Sequence, residues 1–166
     1  MASVKRQQGV VLIVTLMFLL VLTLLASASM QNATLQEKVS GSLGLHDSAF
    51  QKAETLLRKG EARLLAPDFA LQPCPTAVTC LPPTEALLSE SAPVSGSGVK
   101  WVTSEHGYFG IQYLGLTGHP ARRLTPDPGK QYALYRVTAI GIQGAARSVL
   151  ESIHTQERRV MWRQRR

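Results

Sequence analysis

Between Gln7 and Gln36 the chain carries no charged side chain. That absence excludes an ordinary amphipathic surface helix, whose outer face needs charge to stay in water. Within the stretch, Val10 to Ala28 reads VVLIVTLMFLLVLTLLASA, interrupted only by Thr15, Thr23 and Ser27. A helix rises about 1.5 Å per residue, so roughly 20 such residues cross a hydrocarbon layer of about 30 Å. Lys5 and Arg6 precede the run, and the next charge is Glu37. This bias keeps the N-terminus in the cytoplasm and sends the remainder outward.

Metal and catalytic signatures are also missing. His46, His106, His119 and His154 lie far apart, with no HExxH-type spacing. Gly107-Tyr108-Phe109-Gly110 lacks the Lys-Ser/Thr pair of a phosphate loop, and no serine sits in a GxSxG elbow. The sequence therefore points away from an enzyme, with no catalytic residue, metal or cofactor expected. Tyr108, Phe109, Tyr113, Tyr132 and Tyr135 could stack on bases, but strand spacing places such aromatics more often in a core or on a sheet face.

Cysteine is scarce. The only two, Cys74 and Cys80, both fall in the exported part and do not form a CxxC redox pair. In an oxidising compartment such a pair closes as a structural disulfide. Acidic residues are few beside basic ones, giving a formal charge of +7 and a pI of about 9.9. That balance raises a nucleic-acid reading. Lys5 and Arg6 precede the apolar run, however, and many of the other cations crowd into ERRVMWRQRR at the C-terminus. Arg158, Arg159, Arg163, Arg165 and Arg166 admit two readings: a solvated, frayed end, or contact with an anionic partner. Trp162 among them favours docking, since it is poorly suited to water.

Three interpretations fit the N-terminus. A cleaved signal peptide would use Ala26-Ser27-Ala28 as its small-x-small site. A plain signal anchor would stay uncut. The third follows from the short basic leader MASVKRQQG, which ends at Gly9 where the apolar helix begins. That arrangement resembles the class III leader of type IV prepilins. The resemblance implies cleavage between Gly9 and Val10 by a prepilin peptidase and methylation of the new amine on Val10. Cutting ahead of the apolar run keeps it in the mature protein, first as an anchor and then as the packing helix of a filament.

More specific motifs lie between Arg6 and Leu57: Leu22–Leu25 (LTLL), the pair Glu37–Lys38, and Ala49–Glu54 (AFQKAE). Together they resemble the N-terminal signature of the PilX type of minor pilin. In that family the fifth mature residue is ordinarily Glu; counting from Val10, it is Val14 here.

Further along, Leu35, Val39, Leu43, Phe50, Ala53, Leu57 and Leu64 recur mostly at steps of three, four or seven, an amphipathic stripe crossed by Gly41 and Gly44. Ala66-Pro67-Asp68 ends it. Residues 67–98 are rich in Pro, Ser, Thr and Gly and read as a loop, with TEALLSE able to make one helical turn. Residues 99–156 alternate as strands: KWVTSE at an edge, then GYFGIQYLGL, then QYALYRVTAIGIQ and ARSVLESIHTQ as a hairpin. The expected segments are a leader at 1–9, a membrane or filament-core helix at 10–29, an amphipathic helix at 30–66, the loop, the strands, and a basic tail at 157–166.

The expected fold is α+β and pilin-like: a long N-terminal helix packed on an antiparallel sheet of about four strands. The expected function is a minor pilin that primes or caps a type IV pilus, supporting assembly, adhesion and twitching motility. A tip position follows from Val14. In ordinary pilins, the resemblance implies, the Glu neutralises a neighbouring subunit's N-terminal amine; a first subunit has no earlier amine to pair. Implied partners are the major pilin, other minor pilins, the inner-membrane assembly platform, the peptidase and a tip adhesin. A type II secretion pseudopilin and a DNA-capturing competence-type pilin keep the same plan, and a bitopic periplasmic protein unrelated to filaments also fits.

Overall fold

The structure, a computed structural model, describes residues 8–88, 93, 97–121 and 129–165. The leader up to Gln7, Arg122 and Arg123 in the turn-rich segment, and Arg166 lie outside the described residues. The chain divides into two units, Met1–Leu43 and Gly44–Arg166.

Helix α1 runs over Gln8–Leu64. In the first unit every residue from Val10 to Leu43 is exposed, and the helix is long and apolar enough to cross a membrane. Its hydroxyls are satisfied locally. Thr15 Oγ1 donates to the Leu12 carbonyl at 2.9 Å, Thr23 Oγ1 to Leu20 at 2.8 Å and Ser27 Oγ to Thr23 at 2.6 Å. Back-bonding of this kind lets a polar residue sit in an apolar medium without an unmet donor. Gly41 and Gly44 do not interrupt the helix, so each is a tolerated local weakness.

In the second unit five strands follow: β1 (Trp101–Ser104), β2 (Gly107–Thr117), β3 (Tyr132–Gln143), β4 (Ala146–Thr155) and β5 (Arg159–Arg165). They pair antiparallel in the order β1-β2-β3-β4-β5. The β3–β4 hairpin forms as the alternation predicts, turning through Gly144 at φ 55°. The expected count of about four strands is exceeded by one. The fifth comes from the segment read as a basic tail, where arginines mask the alternating pattern of a strand that folds straight back on β4.

One sheet face meets α1. Ala53, Leu56, Leu57 and Leu64 are buried against Tyr135, Val137, Ala139 and Leu150, with Phe50, Phe109, Ile111 and Tyr113 packed around them. Burial at about 25 cal/mol per Å² makes this stripe the main adhesive of the unit. Two glycines allow the approach. A Cβ on Gly141 would run into the Ala49 carbonyl oxygen and the Ala53 backbone, and one on Gly60 would lie 2.5 Å from Val137 Cγ1. Of the expected amphipathic stripe, Phe50, Ala53, Leu57 and Leu64 take part in this packing, whereas Leu35, Val39 and Leu43 are exposed.

The other sheet face is covered by the loop after α1. The loop contains the short helix α2 (Glu85–Leu88), whose Ala86 packs on Ile140 and Val149. Cys74 and Cys80 are bonded, with their Cα atoms 5.4 Å apart. Such a loop has few regular backbone partners, and strand side chains supply them. Arg136 donates to the Cys80 carbonyl at 2.6 Å, Gln112 to Thr79 at 2.9 Å, Arg165 to Pro83 at 2.8 Å and Arg147 to Ala86 at 2.8 Å.

Candidate functional site

Two carboxylates organise the charge of the second unit, one on each face of the sheet. Glu61 projects from the last turns of α1 towards β4 and β5. Ser152 Oγ donates to its Oε1 at 2.7 Å, Arg159 Nε donates to the same oxygen at 2.8 Å, and His154 Nε2 lies 3.2 Å away. Arg159 Nη2 completes a two-pronged grip on Oε2. Burial alone would raise the Glu61 pKa. The neighbouring His154 together with hydrogen bonds from Arg159 and Ser152 outweighs it and holds the group at about 2. The cluster ties helix, penultimate strand and last strand together.

Glu151 faces the opposite way, its side chain only 1% exposed. Arg163 donates to Oε1 through Nη2 at 2.7 Å and Nε at 3.1 Å. Arg136 Nε stands 3.4 Å from Oε1, and Arg165 Nη1 stands 3.8 Å from Oε2. Burial lowers the Arg136 pKa, as do Arg163 and Arg165, while Glu151 opposes the shift.

The arginines named for contact with an anionic partner are thus mostly parts of the fold. Arg159, Arg163 and Arg165 lie on β5 and engage Glu61, Glu151 and the Pro83 carbonyl. Arg158, in the turn before β5, donates to the Ala121 carbonyl at 3.5 Å. Arg166 lies outside the described residues. Trp162 meets Phe50 of α1 edge-on, with ring centroids 6.2 Å apart. Gly9, Val10 and Val14 all lie within α1, and Val14 is exposed among other apolar side chains. Sequence reasoning passed over Glu61 and Glu151. The available signal for Glu151 was a lone acid in the apolar alternation SVLESI; Glu61, in a charged helical segment, offered none.

No group of three or more metal-ligating side chains occurs among the described residues. A hollow of about 470 Å³ lies between the disulfide loop and β2, lined by Leu71, Val99, Lys100, Ile111 and Tyr113 among others. His154 stands beside a carboxylate that is itself held by arginine. The arrangement fastens helix and strands together.

A long exposed apolar helix that continues into an antiparallel head is the plan of a pilin-like filament subunit. Residues 8–58 match the family model described as PilX N-terminal. No curated protein and no solved structure matches the chain. Over residues 8–58 the chain is thus similar to the N-terminal segment of PilX-type proteins, and the match does not extend to the sheet.

Proposed function

We propose that this protein is a minor pilin that acts in the complex initiating a type IV pilus and remains at its tip. The observation that carries the reading is the uncharged surface of α1. Val10 to Leu25 is exposed and apolar apart from two threonines, and no acid occurs before Glu37. Such a surface packs laterally against like helices once it leaves the bilayer. A buried ammonium in that packing needs a partner, and leaving it unpaired costs several kcal/mol, roughly. A subunit with Val14 at the fifth mature position offers none, so it is best tolerated where no earlier subunit's amine must be matched. Support of adhesion and twitching motility follows from a place in the initiating complex, as does contact with the assembly platform and with a tip adhesin. Residues 1–9 serve as the cleaved leader and 10–29 as anchor and filament core.

The test is immunolabelling of sheared pili combined with Val14→Glu. Label confined to one end, with assembly unchanged or impaired by the variant, supports the tip role. Even label along the shaft, with the Glu variant assembling better than wild type, rules it out.

A further inference from the structure

The outer face of the sheet holds more positive charge than the fold uses. Arg136 on β3, Arg147 and Glu151 on β4, and Arg163 and Arg165 on β5 all project from this face by strand alternation. Three guanidiniums surround the one Glu151 carboxylate at 2.7 to 3.8 Å. The fourth, Arg147, binds the Ala86 carbonyl. Among the described residues no second carboxylate is paired with any of the four. Like charges held this close in a partly desolvated place repel, and an added anion relieves them.

Exposure selects where that anion enters. The side chains of Arg136 and Arg165 are 11% and 13% exposed, whereas that of Arg163 is 46% exposed. Arg163 spends its Nε and Nη2 on Glu151. Among the described residues its remaining Nη1 has no hydrogen-bond partner. A polyanion such as DNA needs a row of exposed cations along its backbone. One open guanidinium backed by buried ones suits a single carboxylate better.

We propose that Arg163, backed by Arg136 and Arg165, is a docking point for an acidic side chain on an exposed segment of a neighbouring subunit. The identity of that neighbour rests on the pilin reading, but the chemistry of the point does not. The interaction sets the register of the head against its neighbour, and Glu151 is the internal counter-charge that keeps the guanidiniums convergent.

The experiment uses the full chain in detergent micelles and a fluorescent hexapeptide of alternating Asp and Ser, followed by anisotropy at low salt. Filament assembly plays no part in it, so its failure is distinct from failure of the tip reading. Wild type binds; Arg163→Gln binds about tenfold more weakly; and Arg58→Gln, on the exposed face of α1, leaves binding unchanged. Arg163→Lys, which keeps the charge, retains most of the binding, and Arg163→Met, which keeps the apolar stem without the charge, loses it as the Gln variant does and carries the comparison if that variant does not fold. Equal binding by wild type and a folded charge-removing variant, Arg163→Gln or Arg163→Met, overturns the proposal. So does an equal loss in Arg58→Gln, which would mean a diffuse field. Displacement by equimolar inorganic sulfate would mark a free-anion site, and displacement by an equimolar single-stranded DNA oligomer a nucleic-acid site; either result also overturns it.

Discussion

At the residue scale, the grip on Glu61 makes stability depend on acid. Its folded pKa is about 2, below the ordinary value of 4.5. A depressed carboxylate contributes stability that is fully present above its unfolded pKa and lost as pH falls through the folded one. The loss therefore runs from about pH 4.5 down to about 2. A shift of this size corresponds to about 3 kcal/mol. Glu61→Gln should lower stability at neutral pH by up to that amount and flatten the acid limb. Denaturant unfolding at pH 7, 4 and 3 checks both, and an unchanged slope between pH 4 and 3 would contradict the assignment. Gly141 offers a second test. Its added Cβ would strike the backbone of α1, which cannot yield as a flexible side chain does. Gly141→Ala should destabilise by about 1–3 kcal/mol in the same measurement, as overpacking does.

At the element scale, β5 is an edge strand with one buried apolar residue, Val160. Its side chains hold on mainly through Arg159, Arg163 and Arg165, so its docking draws on charge more than on hydrophobic burial. Raising the ionic strength should speed amide exchange in β5 more than in β3, because screening acts on partly exposed pairs and hardly on the core. Equal protection at low and high salt would count against this account. The disulfide belongs to the same scale. It closes a short loop whose carbonyls are then captured by Arg136 and Gln112. Paired Cys74→Ser and Cys80→Ser substitutions should cost roughly 2–3 kcal/mol on the chain-entropy view, read by unfolding with and without reductant.

At the scale of the whole molecule, the decisive event is processing. Mass spectrometry of the mature chain from its native host is expected to show a start at Val10 with a methylated amine. Gly9→Leu should accumulate the uncut precursor. A mature start at Met1 or after Ala28 would remove the basis for a filament role, since the apolar helix would then be either unprocessed or discarded.

What the sequence determined by itself is local or periodic. Roughly 20 residues without charge need only their own composition to declare an apolar helix. Pro67 stops the amphipathic run because its ring has no N–H to give. Alternation from Gln131 to Gln156, with Gly144 at the turn, announces a hairpin whose strands are neighbours in the chain. The AFQKAE segment carries a family resemblance in its residues alone. What only the tertiary structure decided is pairing across long sequence separations. Arg159 finds Glu61, and Arg165 finds the Pro83 carbonyl, because the sheet places β5 beside the last turns of α1 and the loop after it. In the sequence, ERRVMWRQRR reads as a solvated tail or as a contact for an anionic partner, because a guanidinium looks the same facing water or facing a buried carboxylate. The difference lies in the partner, and strand order β4-β5 over the helix supplies it.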